Sequence, residues 1–216
     1  MIFGKIEYLN LLPFHIFMKR FLRSSQAKAI MDYKKAVPAK INSQFLSRRV
    51  DAAFISSIAA KKRQYVNLGI IAKKEVQSVL VIPSREDKTD KESASSNLLA
   101  QILEQNGEVL IGDKALKYAL KNDDYIDLAQ LWHKKYRLPF VFALLCYHKD
   151  KKRYKKIEKI FLKKEQKIPR YILQNAAIRT NIDTKDILHY LTLISYKLDN
   201  RAKKGLKKFY KEAKKH

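Results

Sequence analysis

The sequence predicts an α/β protein folded as two lobes around a cleft, and three observations carry that reading. Short apolar segments of strand type alternate with amphipathic helices over the first eighty residues. A polar stretch from Pro83 to Ser93, with nothing to bury, reads as a linker or surface loop, and a second, smaller strand–helix unit follows it. A long apolar strand beyond Leu138 then gives the halves a second connection, so crossings near residues 83 and 137 join them. On this reading residues 1–82 form the first part of lobe one, 83–136 a small lobe two, and 137–216 the return to lobe one with a helical C-terminal region. Ligands of such architectures sit in the cleft between lobes.

The elements follow in order. Phe3, Ile6, Tyr8 and Leu9 suit a short strand, Pro13 suits the first turn of a helix from Phe14 to Leu22, and Asn10 falls in the loop between them. Ala27 to Met31 reads as a strand and Pro38 to Arg48 as a helix with Ile41, Phe45 and Leu46 inward. Val50 to Ile55 is a strand running into a short helix that starts at Ser56-Ser57 and ends at Ala60. Val66 to Ala72 and Ser78 to Ile82 are two more strands, the second almost continuously apolar, as in a sheet covered on both faces. In the second unit Ser95-Ser96 start a helix, Val109 to Ile111 is a strand that Gly112-Asp113 turns, and Ala115 to Leu120 is a helix; the unit closes around Trp132 to Tyr136. Leu138 to Leu145 is a buried strand, and everything after Asp150 is helical in pattern.

Bulk properties exclude several function classes. The net charge of +25 would suit nucleic acid, whose phosphates reward clustered Lys and Arg. Yet residues 149–170, with eleven basic and three acidic side chains, and 197–216, with nine and two, keep apolar residues at helical spacing. Ile157, Ile160 and Phe161 mark one such face, and Leu206, Phe209, Tyr210 and Ala213 the other. These are amphipathic helices with lysine-rich outer faces, so no specific nucleic-acid partner is expected, although the field would steer an anionic substrate. No run approaches the ~20 apolar residues of a membrane span. The N terminus enters a strand at Ile2 with no basic segment or apolar leader, and a cytoplasmic protein is expected. The single Cys146 excludes an internal disulfide and a cysteine-based metal cluster. His133, His148, His189 and His216 have no second ligand at metal spacing, which leaves His15 as the one histidine near the cleft.

The predicted helix starts at Asn10, Ser56 and Ser95 bring small hydrogen-bonding side chains and free N–H groups toward the cleft, a setting for a carboxylate-bearing ligand. Each has a plainer reading, since Asn and Ser are preferred helix caps. Asp113 is placed as a general base would be, but Gly-Asp after a strand is usually a turn and cap.

Several segments together resemble the chorismate dehydratases of the futalosine route to menaquinone, nearly end to end and in order. They are Gly4-Lys5-Ile6-Glu7-Tyr8-Leu9-Asn10-Leu11-Leu12-Pro13, Val50-Asp51-Ala52-Ala53-Phe54-Ile55-Ser56-Ser57 and Val76-Gln77-Ser78-Val79-Leu80. Ser93-Ala94-Ser95-Ser96, Leu110-Ile111-Gly112-Asp113, Asp127-Leu128 to Trp132 and Leu138-Pro139-Phe140-Val141-Phe142-Ala143 follow. The tail Ile194-Ser195-Tyr196-Lys197-Leu198, with Gly205-Leu206 and Phe209-Tyr210, matches the family's closing helices. The chain departs from the family pattern in a shorter stretch between Gln105 and Val109, in Arg48-Arg49 where glycine is more frequent, and in Ser95-Ser96 where Thr-Ser is usual.

The resemblance implies a two-lobed fold like that of type II periplasmic solute-binding proteins. It implies loss of water from chorismate to give 3-[(1-carboxyvinyl)oxy]benzoate, with no metal or organic cofactor. It places Asn10 and Ser78 nearest the reacting ring, the first binding substrate oxygen and the second polarising the departing hydroxyl or ordering the base. Ser56, Ser57, Ser95 and Ser96 fall to the two carboxylates. From their place on the apolar strand, Phe140 and Phe142 are candidates to line the ring pocket, with simple core packing as the plainer reading. The substrate's own enolpyruvyl carboxylate is then the candidate base. A non-catalytic protein that binds a small anion in the same fold is the competing reading, because fold alone does not separate the two.

Overall fold

The computed structural model describes residues 2–22, 34–83 and 85–216. The expected strand Ala27 to Met31 lies outside the described residues. Two sheets carry the fold. The first has five strands in the order β1 (Phe3–Gly4), β2 (Ala52–Ser56), β7 (Phe140–Tyr147), β3 (Tyr65–Ala72) and β8 (Ile194–Lys197). β1 and β2 are parallel and every other pair is antiparallel. The second sheet has β4 (Val79–Ile82) between β5 (Glu108–Ile111) and β6 (Ile126–Asp127), both antiparallel to it.

Helices cover both faces of the first sheet. α1 (Leu12–Phe21) buries Phe14 among Phe3, Phe54 and Phe161, with ring centroids 4.9–5.6 Å apart. Such tilted and edge-on pairs add to what burial alone contributes. α2 (Pro38–Leu46) packs Ile41 and Phe45 beside β1 and β2, and the short α3 (Ser57–Ala60) continues directly from β2. α4 (Ala94–Ile102), α5 (Gly112–Ala119) and α6 (Leu128–Tyr136) belong to the second unit. α7 (Lys151–Lys163), α8 (Arg170–Thr180), α9 (Thr184–Leu193) and α10 (Asn200–Glu212) close the chain.

The lysine-rich stretches are amphipathic helices, as their periodicity requires. α7 buries Tyr154, Ile157 and Phe161, and α10 buries Ala202, Leu206 and Phe209, with the lysines outward. Ile160, read as inward, lies 40% exposed on the flank of α7. α10 passes so close to the β7 entry that a Cβ on Gly205 would lie 2.0 Å from the Pro139 carbonyl oxygen.

Three placements differ from the sequence reading. β4 pairs wholly in the second sheet, so the chain crosses between sheets at residues 73–78, ahead of Ser78 and not near residue 83. A continuous apolar run suits any covered sheet, and only its partners tell which one it joins. The polar stretch 83–93 is accordingly no crossing; it is a loop inside the second unit, tied by a Lys88–Glu108 bridge and by Asp87 Oδ1, which accepts the Gly107 N–H at 2.6 Å. Lastly, Ile194–Lys197 is an edge strand on β3 rather than helix. Four residues that continue an apolar helix show no periodicity able to separate the two states.

Candidate active site

After β1 the chain runs extended to Tyr8, makes a 3-10 turn over Leu9–Leu11 and passes straight into α1, with Pro13 in its first turn. Asn10 sits inside that turn. The cap positions are Tyr8 and Leu11, neither of which makes a side-chain cap bond, so Asn10 is not a helix cap. Its carbonyl accepts the Tyr196 hydroxyl at 2.7 Å, while the preceding Leu9 N–H donates to Asp113 Oδ1 at 2.9 Å. A turn pinned on both sides holds its amide in one place.

Ser78 ends the crossing between the sheets. One carboxylate organises that segment: Asp127 Oδ2 accepts the N–H groups of Val76 and Gln77 at 2.8 and 2.7 Å, and Oδ1 those of Ala129 and Gln130 at 2.9 and 3.0 Å. Gln77 takes a positive φ of 57° to allow it. Burial pushes the Asp127 carboxyl above the ordinary range even though these four donors favour its charge. The Ser78 carbonyl accepts the Gly112 N–H at 2.8 Å, and its Oγ accepts the Tyr190 hydroxyl at 2.9 Å. Through Tyr196 and Tyr190 the closing elements hold Asn10 and Ser78.

These two residues wall an open cavity between the sheets with about 620 Å³ of empty space, its mouth included. Asn10, Ser56, Ser78, Ser93 and Ser96 supply its polar groups, and Ile6, Phe54, Ile111 and Phe142 much of its apolar wall. Among the described residues lining it there is no Lys, Arg, His, Asp or Glu. Across the described residues, no three His, Cys, Asp or Glu side chains come together as a metal site, and no helix is long and apolar enough to cross a membrane.

The two serine pairs are split. Ser56 lines the cavity and is gripped by Asn42 of α2, whose amide donates to Ser56 Oγ at 2.9 Å and accepts the Ser56 N–H at 3.2 Å. Ser96 lines it too, with Oγ accepting the Ser93 hydroxyl at 2.8 Å. Ser93 caps α4, its Oγ accepting the Ser96 N–H, in place of the expected Ser95-Ser96 start. Ser56 and Ser96 accept from a neighbour and keep their own protons to donate, whereas Ser93 gives its proton to Ser96. Ser57 and Ser95, by contrast, face away from the cavity: their hydroxyls meet at 3.2 Å, and the Ile58 N–H donates to Ser95 Oγ at 3.1 Å. They join α3 to α4.

Phe142, not Phe140, lines the cavity. The β3–β7 register runs Ile70↔Ala143 and then Ile71↔Val141, so Phe142 is an unpaired bulge residue, re-aimed from the sheet face. Phe140 packs in the core between Trp132 and Phe209, with centroids at 5.2 and 4.9 Å.

At the mouth, Tyr8 donates a short hydrogen bond to Glu92 of the 83–93 loop, and its ring covers Gly112. A Cβ there would lie 2.6 Å from Tyr8 Cζ, and Gly112 has φ +66°, so glycine is required on both counts. Asp113 is not a base facing the cavity: it accepts the Leu9 N–H and pairs with Arg179 at 3.1 Å, tying the second unit to the first and to α8. His15 also turns away, its Nε2 2.8 Å from the Ile6 carbonyl oxygen, in the wall of a separate cavity with Lys19 and Asn175. Burial holds the phenols of Tyr8, Tyr190 and Tyr196 above their ordinary range, so all three stay protonated donors at neutral pH. Sequence reading missed Tyr190, Tyr196 and Asn42, whose positions carry only the apolar or capping pattern of their own elements. Asp127 did leave a trace, an acidic residue just ahead of the helix that holds Trp132.

The chain is similar along its whole length to known proteins. A family model described as menaquinone biosynthesis matches residues 1–107 and 102–215. A Campylobacter jejuni protein named chorismate dehydratase is 49% identical over 218 residues, covering 99% of this chain and 98% of its own. The crystal structure of an Archaeoglobus fulgidus protein superposes with a TM-score of 0.68 at 12% identity, over 99% of this chain and 96% of that one, a likeness of fold alone. A Candida albicans protein described as having the generic periplasmic binding protein fold matches at a TM-score of 0.48 and 14% identity, over 99% of this chain and 90% of that one.

Proposed function

Because the chain belongs to the menaquinone-biosynthesis family whose model spans it, we propose that it is a chorismate dehydratase, releasing water from chorismate to form 3-[(1-carboxyvinyl)oxy]benzoate. Its substrate is a small dicarboxylate. The observation that carries the reading is that Asn10 and Ser78, drawn from the N-terminal turn and the crossing segment, line one cavity.

The chemistry accounts for a site with so few ionisable groups. The proton lost sits on the ring carbon bearing the ether and is acidified through the conjugated ring carboxylate. When that C–H bond breaks, its electron pair enters the ring–carboxylate system. The pair then returns to expel the neighbouring hydroxyl, and the ring becomes aromatic. The abstracted proton and the departing hydroxide together make the water. Such a path calls for positioning and for donors aimed where charge develops more than for a strong base. Ser78 donates to the departing hydroxyl, Asn10 binds substrate oxygen, Ser56 and Ser96 donate to the carboxylates, and Phe142 lies against the ring. The substrate's enolpyruvyl carboxylate serves as the base, which suits a cavity whose described lining offers no carboxylate or imidazole. With no lysine or arginine in that lining, the +25 field attracts the dianion from outside while hydroxyl donors hold it inside.

The test is direct. Purified protein incubated with chorismate should yield the aromatic enolpyruvyl ether by absorbance and mass. Folded protein that binds chorismate and leaves it intact would favour the non-catalytic binding protein instead. An analogue lacking the enolpyruvyl carboxylate should bind and fail to react; an undiminished rate would remove that carboxylate as the base.

A further inference from the structure

We infer that Tyr190 is a positioning residue for the elimination, setting the direction of the Ser78 hydroxyl so that its proton points into the cavity. This rests on the dehydratase reading. A serine hydroxyl is a rotor with one proton and two lone pairs, and left to itself it donates to whichever backbone carbonyl is near. Tyr190 removes that freedom. Its ring is 1% exposed, wedged where α9 packs on the N-terminal turn, so the phenol has one place to be. The phenol's single proton goes to Ser78 Oγ at 2.9 Å. The order of donation is fixed: Tyr190 to Ser78, Ser78 to the cavity.

The asymmetry with Tyr196 sharpens the assignment. Tyr196 donates to the Asn10 backbone carbonyl and supports only the turn, whereas Tyr190 bonds a side chain that lines the cavity. A merely structural tyrosine would resemble the first. Loss of one hydrogen bond in such a chain corresponds to about ten-fold in rate.

The experiment uses the full chain with chorismate as substrate and compares wild type, Tyr190→Phe, Ser78→Ala and the double variant. The expected result is a kcat lowered about ten-fold in Tyr190→Phe with KM moved less than about two-fold, and no further loss when Tyr190→Phe is added to Ser78→Ala. Wild-type kcat in Tyr190→Phe, or losses that multiply in the double variant, would overturn the inference while leaving the dehydratase reading in place. If the wild type itself fails to turn over chorismate, both fall together. Should Tyr190→Phe fold poorly, 3-fluorotyrosine at position 190 keeps the shape and makes the phenol a stronger donor. A kcat raised about two-fold supports the inference, and an unmoved kcat overturns it.

Discussion

The joint at Ser57 and Ser95 and the cavity wall at Ser56, Ser78 and Ser96 are built from the same side chain and do opposite work. In the joint the two hydroxyls meet each other and Ser95 accepts the Ile58 N–H, away from the cavity lining. At the wall each hydroxyl is an acceptor toward a protein donor, from Asn42, Tyr190 or Ser93, and its own proton is left over. The difference teaches that a serine becomes a binding group here through what donates to it. A residue one step along the chain, with identical chemistry, becomes a fastener.

The largest effect expected of that contrast is at Ser78. Ser78→Ala should lower kcat about 10²–10³-fold, as losing a donor to developing charge does, with melting temperature nearly held. A change confined to KM would show that Ser78 binds without polarising the leaving hydroxyl. Next comes the mouth: Gly112→Ala puts a methyl into the Tyr8 ring at a positive φ, and should cost about 1–2 kcal/mol of stability and raise KM as Tyr8 leaves Glu92. A denaturant titration beside steady-state kinetics reads both.

A smaller effect tests the contrast between neighbours. Ser56→Ala should raise KM about ten-fold, while Ser57→Ala should show chiefly as about 1 kcal/mol of lost stability, seen as a lower melting temperature. If the two variants gave the same signature, the division between wall and joint would be wrong. The smallest expected effect is on pH. The phenols at the site are held protonated by burial and the substrate carboxylates are ionised, so kcat should stay flat from about pH 6 to 9, well above a free carboxylate and below these phenols. A protein inflection in that window would reveal a base outside the cavity lining.

Much of the fold was legible because it is local. The lysine-rich helices announced themselves by apolar residues at helical spacing, and the near-continuous apolar run through Val79–Ile82 announced a covered strand. What failed was pairing: that strand was placed in the wrong sheet, and Ile194–Lys197 passed for helix. The site shows the same divide. Asn10 alone read as a helix cap, and its place beside Ser78 came from resemblance along the whole chain; Tyr190 carried no signal beyond its place on a buried helix face.

The sequence by itself determined the alternation of elements, the amphipathic faces, the family and two residues, Asn10 and Ser78, that line one cavity. Those are properties of neighbouring residues, or of motifs kept in order. Only the tertiary structure decided which serine of each pair faces the cavity, that Phe142 rather than Phe140 lines it, and that a phenol from α9 donates to Ser78. A single bulge residue or a turn of helix settles each of these, and the forces that place them act between segments far apart in the chain.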